Sequence, residues 1–220
     1  MNKLELTDKI ALVTGASRGI GAETAVALGR QGAHVIVTAR TIGGLEDVDD
    51  RIRAAGGRAT IVPLDLKNHA DIDTLGPQLY EKFGKLDFLI ANAGMLGTLG
   101  PLPHADAKEW DRVISVNLTA NFRLIRTLHP LLKAAERARA VFITSGIAKN
   151  PNAYWGAYAA SKAGLEGLVK SYAAECADTS IAVNLFSPGE VNTAMWQTAF
   201  PGKESSEAAS PEDIAQKLVD

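Results

Sequence analysis

Cysteine is nearly absent from this chain. Cys176 is the single one in 220 residues, which excludes an intrachain disulfide and a thiolate zinc cluster. A reducing compartment suits such a chain. An excess of charge of one sign is also missing: 23 Lys and Arg face 25 Asp and Glu, so no basic footprint for nucleic acid exists. No apolar run approaches the length of a membrane span. The N-terminal stretch Met1 to Lys9 alternates charge with Leu and lacks the apolar region of a signal peptide. A soluble cytoplasmic protein is the expectation. The four histidines, His34, His69, His104 and His129, form no metal-ligand pattern. Ser- or Pro-rich linkers, low-complexity tracts and fixed-period repeats are missing too, which points to one domain over residues 1–220.

What is present is an alternation. Short apolar runs at 9–14, 34–39, 59–64, 86–91, 140–144 and 181–186 read as six strands. Between them, helical periodicity is expected over 18–31, 45–55, 71–83, 107–116, 118–135 and 154–177, and Pro211 opens a last helix. Residues 187–210 read as loop with one short helix. Strands alternating with helices predict right-handed βαβ units and a doubly wound parallel α/β sheet. Pro63 places the third strand at an edge.

Between the first strand and first helix lies Thr14-Gly15-Ala16-Ser17-Arg18-Gly19-Ile20-Gly21. Glycines there let the chain turn sharply and admit a pyrophosphate against the backbone, at a helix N-terminus with free N–H groups. A nucleotide-binding turn is expected. NAD-specific sites place a carboxylate about 20 residues further on, for the ribose 2′-hydroxyl. Here the second strand ends in Thr38-Ala39-Arg40, which offers a guanidinium. A 2′-phosphate would find a bidentate cation there, and Arg18 is a second one. NADP(H) is favoured; Arg40 as an ordinary loop residue would leave NAD(H) open.

Tyr158 and Lys162 stand four residues apart in a predicted helix and so share one face. A free phenol, with a pKa of about 10, is a poor base at neutral pH, and a nearby cation would lower it. Thirteen residues before Tyr158, Ser145 ends the fifth strand, where open α/β sheets present groups to ligands.

In this order, the motifs resemble the short-chain dehydrogenase/reductase family, in its compact single-domain branch. The likeness runs from Lys9 to Thr193 through the glycine turn, Asp65-Leu66, Asn92-Ala93-Gly94, Asn117, Ser145, Tyr158, Lys162, Pro188-Gly189 and Thr193. It implies a Rossmann sheet of about six strands in the order 3-2-1-4-5-6. It also implies a substrate lid over about 190–210 and an NADP(H)-dependent interconversion of a carbonyl and a secondary alcohol. By the same resemblance Tyr158 is the general acid of reduction and base of oxidation, and Ser145 polarises the substrate oxygen. Lys162 binds the nicotinamide ribose and depresses the Tyr158 pKa, while Asn117 holds a relay water. Gly15, Ser17, Arg18, Gly19, Ile20 and Gly21 take the phosphates, Arg40 the 2′-phosphate, and Asp65 with Leu66 the adenine. Asn92 and Gly94 support the cleft, and Pro188, Gly189, Val191 and Thr193 meet the carboxamide.

The sequence departs from the family pattern in two places. Ala91 replaces the usual first Asn of the fourth-strand motif, and the family's seventh strand has no counterpart before Asp220, so an open edge is expected beside strand six. The family's dimer contact, through helices 118–135 and 154–177, would be kept, and a homodimer or homotetramer is expected. Met95, Leu96, Ile147, Trp155, Met195, Trp196 and Phe200 are candidates for a partly apolar pocket. Carrier-protein ketoreductases of the family commonly carry Arg where Ala174 stands before Glu175, which weakens that reading. A nucleotide-sensing binding protein on the same fold, or an epimerase or dehydratase relative, is the alternative.

Overall fold

The structure is a computed structural model that describes residues 6–220; most of the Met1 to Lys9 stretch therefore lies outside the described residues. Its centre is a parallel sheet in the order β3-β2-β1-β4-β5-β6, as expected for a doubly wound α/β chain. The strands are β1 (Ile10–Thr14), β2 (His34–Ala39), β3 (Arg58–Pro63), β4 (Phe88–Ala91), β5 (Ala138–Ile143) and β6 (Ile181–Phe186). β1 lies between β2 and β4, with Val13 paired to Val37 on one side and Ile90 on the other. Chain direction from β1 therefore diverges at this point, which leaves a crevice beyond the strand C-termini.

The inner strands are mostly apolar because helices cover both faces, with Arg139 of β5 an exposed exception. On one face, Val13, Val35 and Val37 pack with Ala25, Leu28 and Ile52, from α1 (Gly19–Arg30) and α2 (Ile42–Ala54). On the other, Leu12, Leu89 and Phe142 pack with Leu75 of α3 (His69–Phe83), Leu124 and Leu128 of α5 (Ala120–Ala134), and Leu165 and Val169 of α6 (Gly156–Glu175). β3 is an edge strand, as Pro63 foretold.

The two helices expected over 107–135 are one path. α4 (Ala107–Ile114) runs into α5 through a π-helical turn, Ser115–Thr119. α2 starts three residues before the expected Leu45, through Gly43 and Gly44. A Cβ on Gly44 would lie 2.9 Å from the Ser17 Cβ, so the missing side chain lets α2 close against the β1–α1 turn.

After β6, the 187–210 segment holds α7 (Ala194–Ala199), and α8 (Pro211–Val219) follows with Pro211 at its first turn. A bridge between Val191 and Ala209 ties the two ends of this segment together. β6 is the other edge of the sheet. An open groove of about 350 Å³ follows it, lined by residues that include Cys176, Ile181 and Val183.

Candidate active site

The β1–α1 turn is built by close approach. Gly15 has φ +65°, and a Cβ on it would lie 2.8 Å from the Ala93 Cα. A Cβ on Gly21 would lie 2.4 Å from the Asn92 Nδ2. The space these side chains would fill is used by Asn92, whose Nδ2 donates to the Thr14 carbonyl at 2.9 Å. The Thr14 hydroxyl in turn accepts from the N–H of Asn92 and of Ala93, at 3.1 and 3.0 Å. Thr14 thus joins β1 to β4, a function its sequence context did not signal.

The N-terminus of α1 opens onto this turn. Arg18 is its N-cap and makes no side-chain cap bond, so the first N–H groups remain free for an anion. Arg18 and Arg40 are both exposed, and neither has an ion-pair partner among the described residues. From the far end of the chain Thr193 arrives here as well: a Cβ on Gly19 would lie 3.3 Å from its Cγ2. Asp65 caps its own turn, its carboxylate accepting from the Lys67 N–H at 3.0 Å. Leu66 is buried in the core, which leaves its backbone rather than its side chain for a ligand. Val191 is likewise buried, while Gly189 turns the chain at φ +78°.

At the other side of the crevice β5 gives way to Ser145, whose backbone is still extended. Tyr158 and Lys162 occupy the first two turns of α6. The Lys162 Nζ stands 5.7 Å from the centre of the Tyr158 ring and donates to the Ile143 carbonyl at 2.8 Å. A Cβ on Gly94 would lie 3.6 Å from that Nζ and 3.4 Å from the Asn117 Oδ1, so Gly94 floors the space between the turn and the lysine. Ser145, Tyr158, Lys162 and Asn117 therefore converge with the glycine turn on one crevice.

The electrostatics differ from the sequence expectation at one point. Burial lowers the Lys162 ammonium to about 8. Burial also raises the Tyr158 phenol above its ordinary value, and hydrogen bonding to Ser145 opposes this only in part. A lysine beside the ring does not by itself make a low-pKa phenol: loss of water is the largest influence on Tyr158.

Asn117 is fully buried and its amide is fully engaged. The Oδ1 accepts from the Met95 N–H at 2.8 Å, and the Nδ2 donates to the Met95 carbonyl at 2.9 Å and the Ser161 hydroxyl at 3.0 Å. Its main-chain carbonyl sits in the π turn and accepts from the Asn121 Nδ2 at 2.8 Å.

An apolar cluster surrounds Tyr158. Of the pocket candidates, Leu96, Ile147, Trp155 and Met195 are in it, joined by Leu99 and Ala199, which the sequence did not single out. Trp155 meets Tyr158 edge-on at 6.0 Å and Phe200 at 5.7 Å; Phe200 continues to Trp196 at 5.8 Å. Glu190 holds this aromatic row from outside, accepting from the Trp196 Nε1 and the Lys203 Nζ, each at 3.0 Å. Met95 contributes main chain, through Asn117. No group of three His, Cys, Asp or Glu residues among those described could hold a metal ion, and no described helix is long and apolar enough to cross a membrane.

A family model described as short chain dehydrogenase matches residues 9–204, and the chain belongs to this family. The oxidoreductase YciK of Escherichia coli K12 is 36% identical over 212 residues, covering 95% of this chain and 84% of that protein. The 3-oxoacyl-[acyl-carrier-protein] reductase FabG of the same organism is 36% identical over 187 residues, covering 85% and 75%. A short chain dehydrogenase from Escherichia coli CFT073, solved in complex with NADPH, superposes with a TM-score of 0.95 at 35% identity, over 100% of this chain and 92% of that one.

Proposed function

We propose that this protein is an NADP(H)-dependent oxidoreductase that interconverts a carbonyl and a secondary alcohol, with Tyr158 as general acid and base. The observation that carries the reading is the meeting of a buried Lys162, with no ion-pair partner among the described residues, the Tyr158 phenol and Ser145 in the crevice that the glycine turn opens. The NADPH held by the similar Escherichia coli CFT073 protein supports the cofactor.

The chain offers a fitting cradle. The Gly15–Gly21 turn and the uncapped α1 N-terminus suit a pyrophosphate, Arg40 and Arg18 a 2′-phosphate, and the Asp65-Leu66 turn the adenine. Asn92 and Gly94 shape the floor, Lys162 suits ribose hydroxyls, and Pro188, Gly189, Val191 and Thr193 form the wall for the carboxamide. Bound NADPH supplies the hydride. The protein's own work is proton handling. Ser145 donates to the carbonyl oxygen and holds it against the phenol, and Tyr158 delivers the proton as negative charge develops there. A phenol is protonated at neutral pH in any case, and burial raises the Tyr158 pKa further, so Tyr158 stands ready as an acid. Lys162 and the Asn117 main chain lead replacement protons inward.

The cluster of Leu96, Ile147, Trp155 and Met195 makes the substrate partly apolar, with residues 190–210 as its lid. Ala174 is exposed where a carrier-docking arginine would stand, so FabG's substrate is not carried over to this chain. A homodimer through α5 and α6 completes the reading; Phe122 on α5 is 45% exposed, and size-exclusion chromatography tests the dimer.

The test is an NADPH-oxidation screen over ketones, aldehydes, quinones and β-ketoacyl esters, with Tyr158→Phe as control. Turnover of one class, lost in the variant while NADPH still binds, is the expected result. NADPH binding with no turnover anywhere would instead make this a nucleotide-sensing protein. Product inspection without net NADPH oxidation separates an epimerase.

A further inference from the structure

Glu166 is a buried carboxylate that the proposed proton chemistry leaves unused. It follows Tyr158 and Lys162 at the same four-residue interval, so the three side chains line one side of α6. Facing them are three consecutive residues at the end of β5. The Ile143 carbonyl accepts from the Lys162 Nζ at 2.8 Å. The Thr144 hydroxyl donates to the Glu166 Oε1 at 3.1 Å, with both residues buried. Ser145, the next residue, lies beside Tyr158, near enough to act on its phenol. Two hydrogen-bonded rungs thus join one strand end to one helix, with Ser145 and Tyr158 as a facing pair beside them.

The rungs differ in what turnover asks of them. On the oxidoreductase reading, Ser145 and Tyr158 must admit a carbonyl oxygen between their hydroxyls. The Lys162 ammonium is shared with the cofactor ribose. Only the Thr144–Glu166 rung makes no contact with a ligand. Thr144 is also tied by its N–H to the Phe186 carbonyl at 2.9 Å, so its main chain is part of the sheet. The second Glu166 oxygen is held by Lys170 at 3.2 Å. A carboxylate kept in a buried place is a weak source of stability, since an apolar side chain of the same shape commonly does as well or better. Placing one here makes sense for register.

We propose that Glu166 and Thr144 are positioning residues, whose hydrogen bond keeps Ser145 in register with Tyr158 while Ser145, Tyr158 and Lys162 are engaged with ligands. This rests on the oxidoreductase reading. Catalytic geometry tolerates little slack, and a shift of about 1 Å can cost about a hundredfold in rate.

The experiment uses the whole protein and the carbonyl it reduces best. Thr144→Val removes the donor and keeps the shape; Thr144→Ser restores the hydroxyl. Glu166→Leu and Glu166→Gln form a second such pair, should Thr144→Val fail to fold. Loss of the bond lowers kcat by about tenfold or more, while the carbonyl KM and the NADPH Kd stay within about twofold. Thr144→Ser and Glu166→Gln recover most of kcat. A Thr144→Val enzyme with the parent kcat overturns the proposal, as does a Thr144→Ser enzyme equally impaired. Crystal structures of the parent and of Thr144→Val give an answer without turnover: a Ser145 hydroxyl displaced from the Tyr158 hydroxyl relative to the parent supports the positioning, and an unchanged Ser145–Tyr158 separation overturns it. A parent protein that reduces no carbonyl defeats the oxidoreductase reading, and the crystal structures still decide the positioning.

Discussion

Two fully buried charges stand at opposite ends of the central sheet and are treated in opposite ways. At the N-terminal ends of the strands, Asp87 accepts from the Ile10 N–H at 2.9 Å and from Lys9 and Lys85, each within 3.2 Å. At the C-terminal ends, Lys162 has a single carbonyl and no carboxylate partner among the described residues. The Asp87 end is an anion with every lone-pair direction served, which closes the sheet. The Lys162 end is a cation stripped of water and left short of counter-charge, which keeps it available. Burial without pairing is expensive, so a fold retains it where a ligand completes the site.

Removing the group that the unpaired cation serves should have the largest effect. Tyr158→Phe lowers kcat by about 10²- to 10⁴-fold, the range of a lost general acid. NADPH binding, followed by its fluorescence, stays within about twofold because the phenol proton is not part of that contact. An equal loss of affinity would break the proposed division between proton transfer and cradle.

The opposite end should answer in stability and not in rate. Asp87→Ala leaves the Ile10 N–H without its acceptor and two lysines without their anion, at a cost of about 3 kcal/mol in urea unfolding. Asp87→Asn keeps an acceptor and costs less. In both variants kcat stays near that of the parent, since Asp87 lies at the far ends of the strands from the crevice. A fall in kcat matching that of Tyr158→Phe would erase the contrast between the two ends.

How far the sequence revealed this arrangement depends on what each signal encodes. β2 and β6 were readable to the residue, at 34–39 and 181–186, because short buried runs are bounded by turn residues. The helix through 107–135 was not, because its π turn adds a residue without interrupting apolar periodicity. In the crevice, the glycine turn, Tyr158 and Lys162 are local patterns and were legible. Glu166 was not: on a helix it looks like a solvated residue, and its partner Thr144 is 22 positions away. The sign of the Tyr158 shift was hidden for a related reason. Spacing reports a nearby cation, but it carries no measure of lost water, and here water loss dominates.

Lys162 itself sharpens the comparison through pH. Unfolded, it holds its proton up to about 10.5; folded and free of cofactor, it releases it at about 8. Between those values the unfolded chain binds more protons, so stability rises with pH across that window, and below about 8 the folded protein bears the whole cost. Lys162→Met, which ends activity, should therefore stabilise the protein at pH 7 by about 2 kcal/mol, allowing for the lost bond to Ile143. The gain shrinks as the pH of the unfolding series approaches 10. For the parent enzyme, kcat/KM for NADPH should fall as pH rises through about 8, where the ammonium is lost. A Lys162→Met protein less stable than the parent at pH 7 would mean that the buried cation is compensated in a way the Asp87 end is, and the two ends would cease to differ.

Arg40 supplies a third kind of charge, exposed and unpaired, and the smallest effect. A cation in water bears no desolvation cost, so its removal should leave stability within about 0.5 kcal/mol. Its consequence is confined to what it meets at the end of β2. Arg40→Asp exchanges a partner for a 2′-phosphate for a carboxylate that repels it and accepts from a ribose 2′-hydroxyl. Paired NADPH and NADH titrations should show NADPH weakened about tenfold and NADH improved, with most of the difference vanishing at high salt because the site is open to solvent. Arg18, also exposed, keeps some NADPH affinity, so Arg18→Ala together with Arg40→Asp should move the preference further than either alone. An unchanged preference in Arg40→Asp would take the 2′-phosphate away from the end of β2 and leave the α1 turn as the sole anion site.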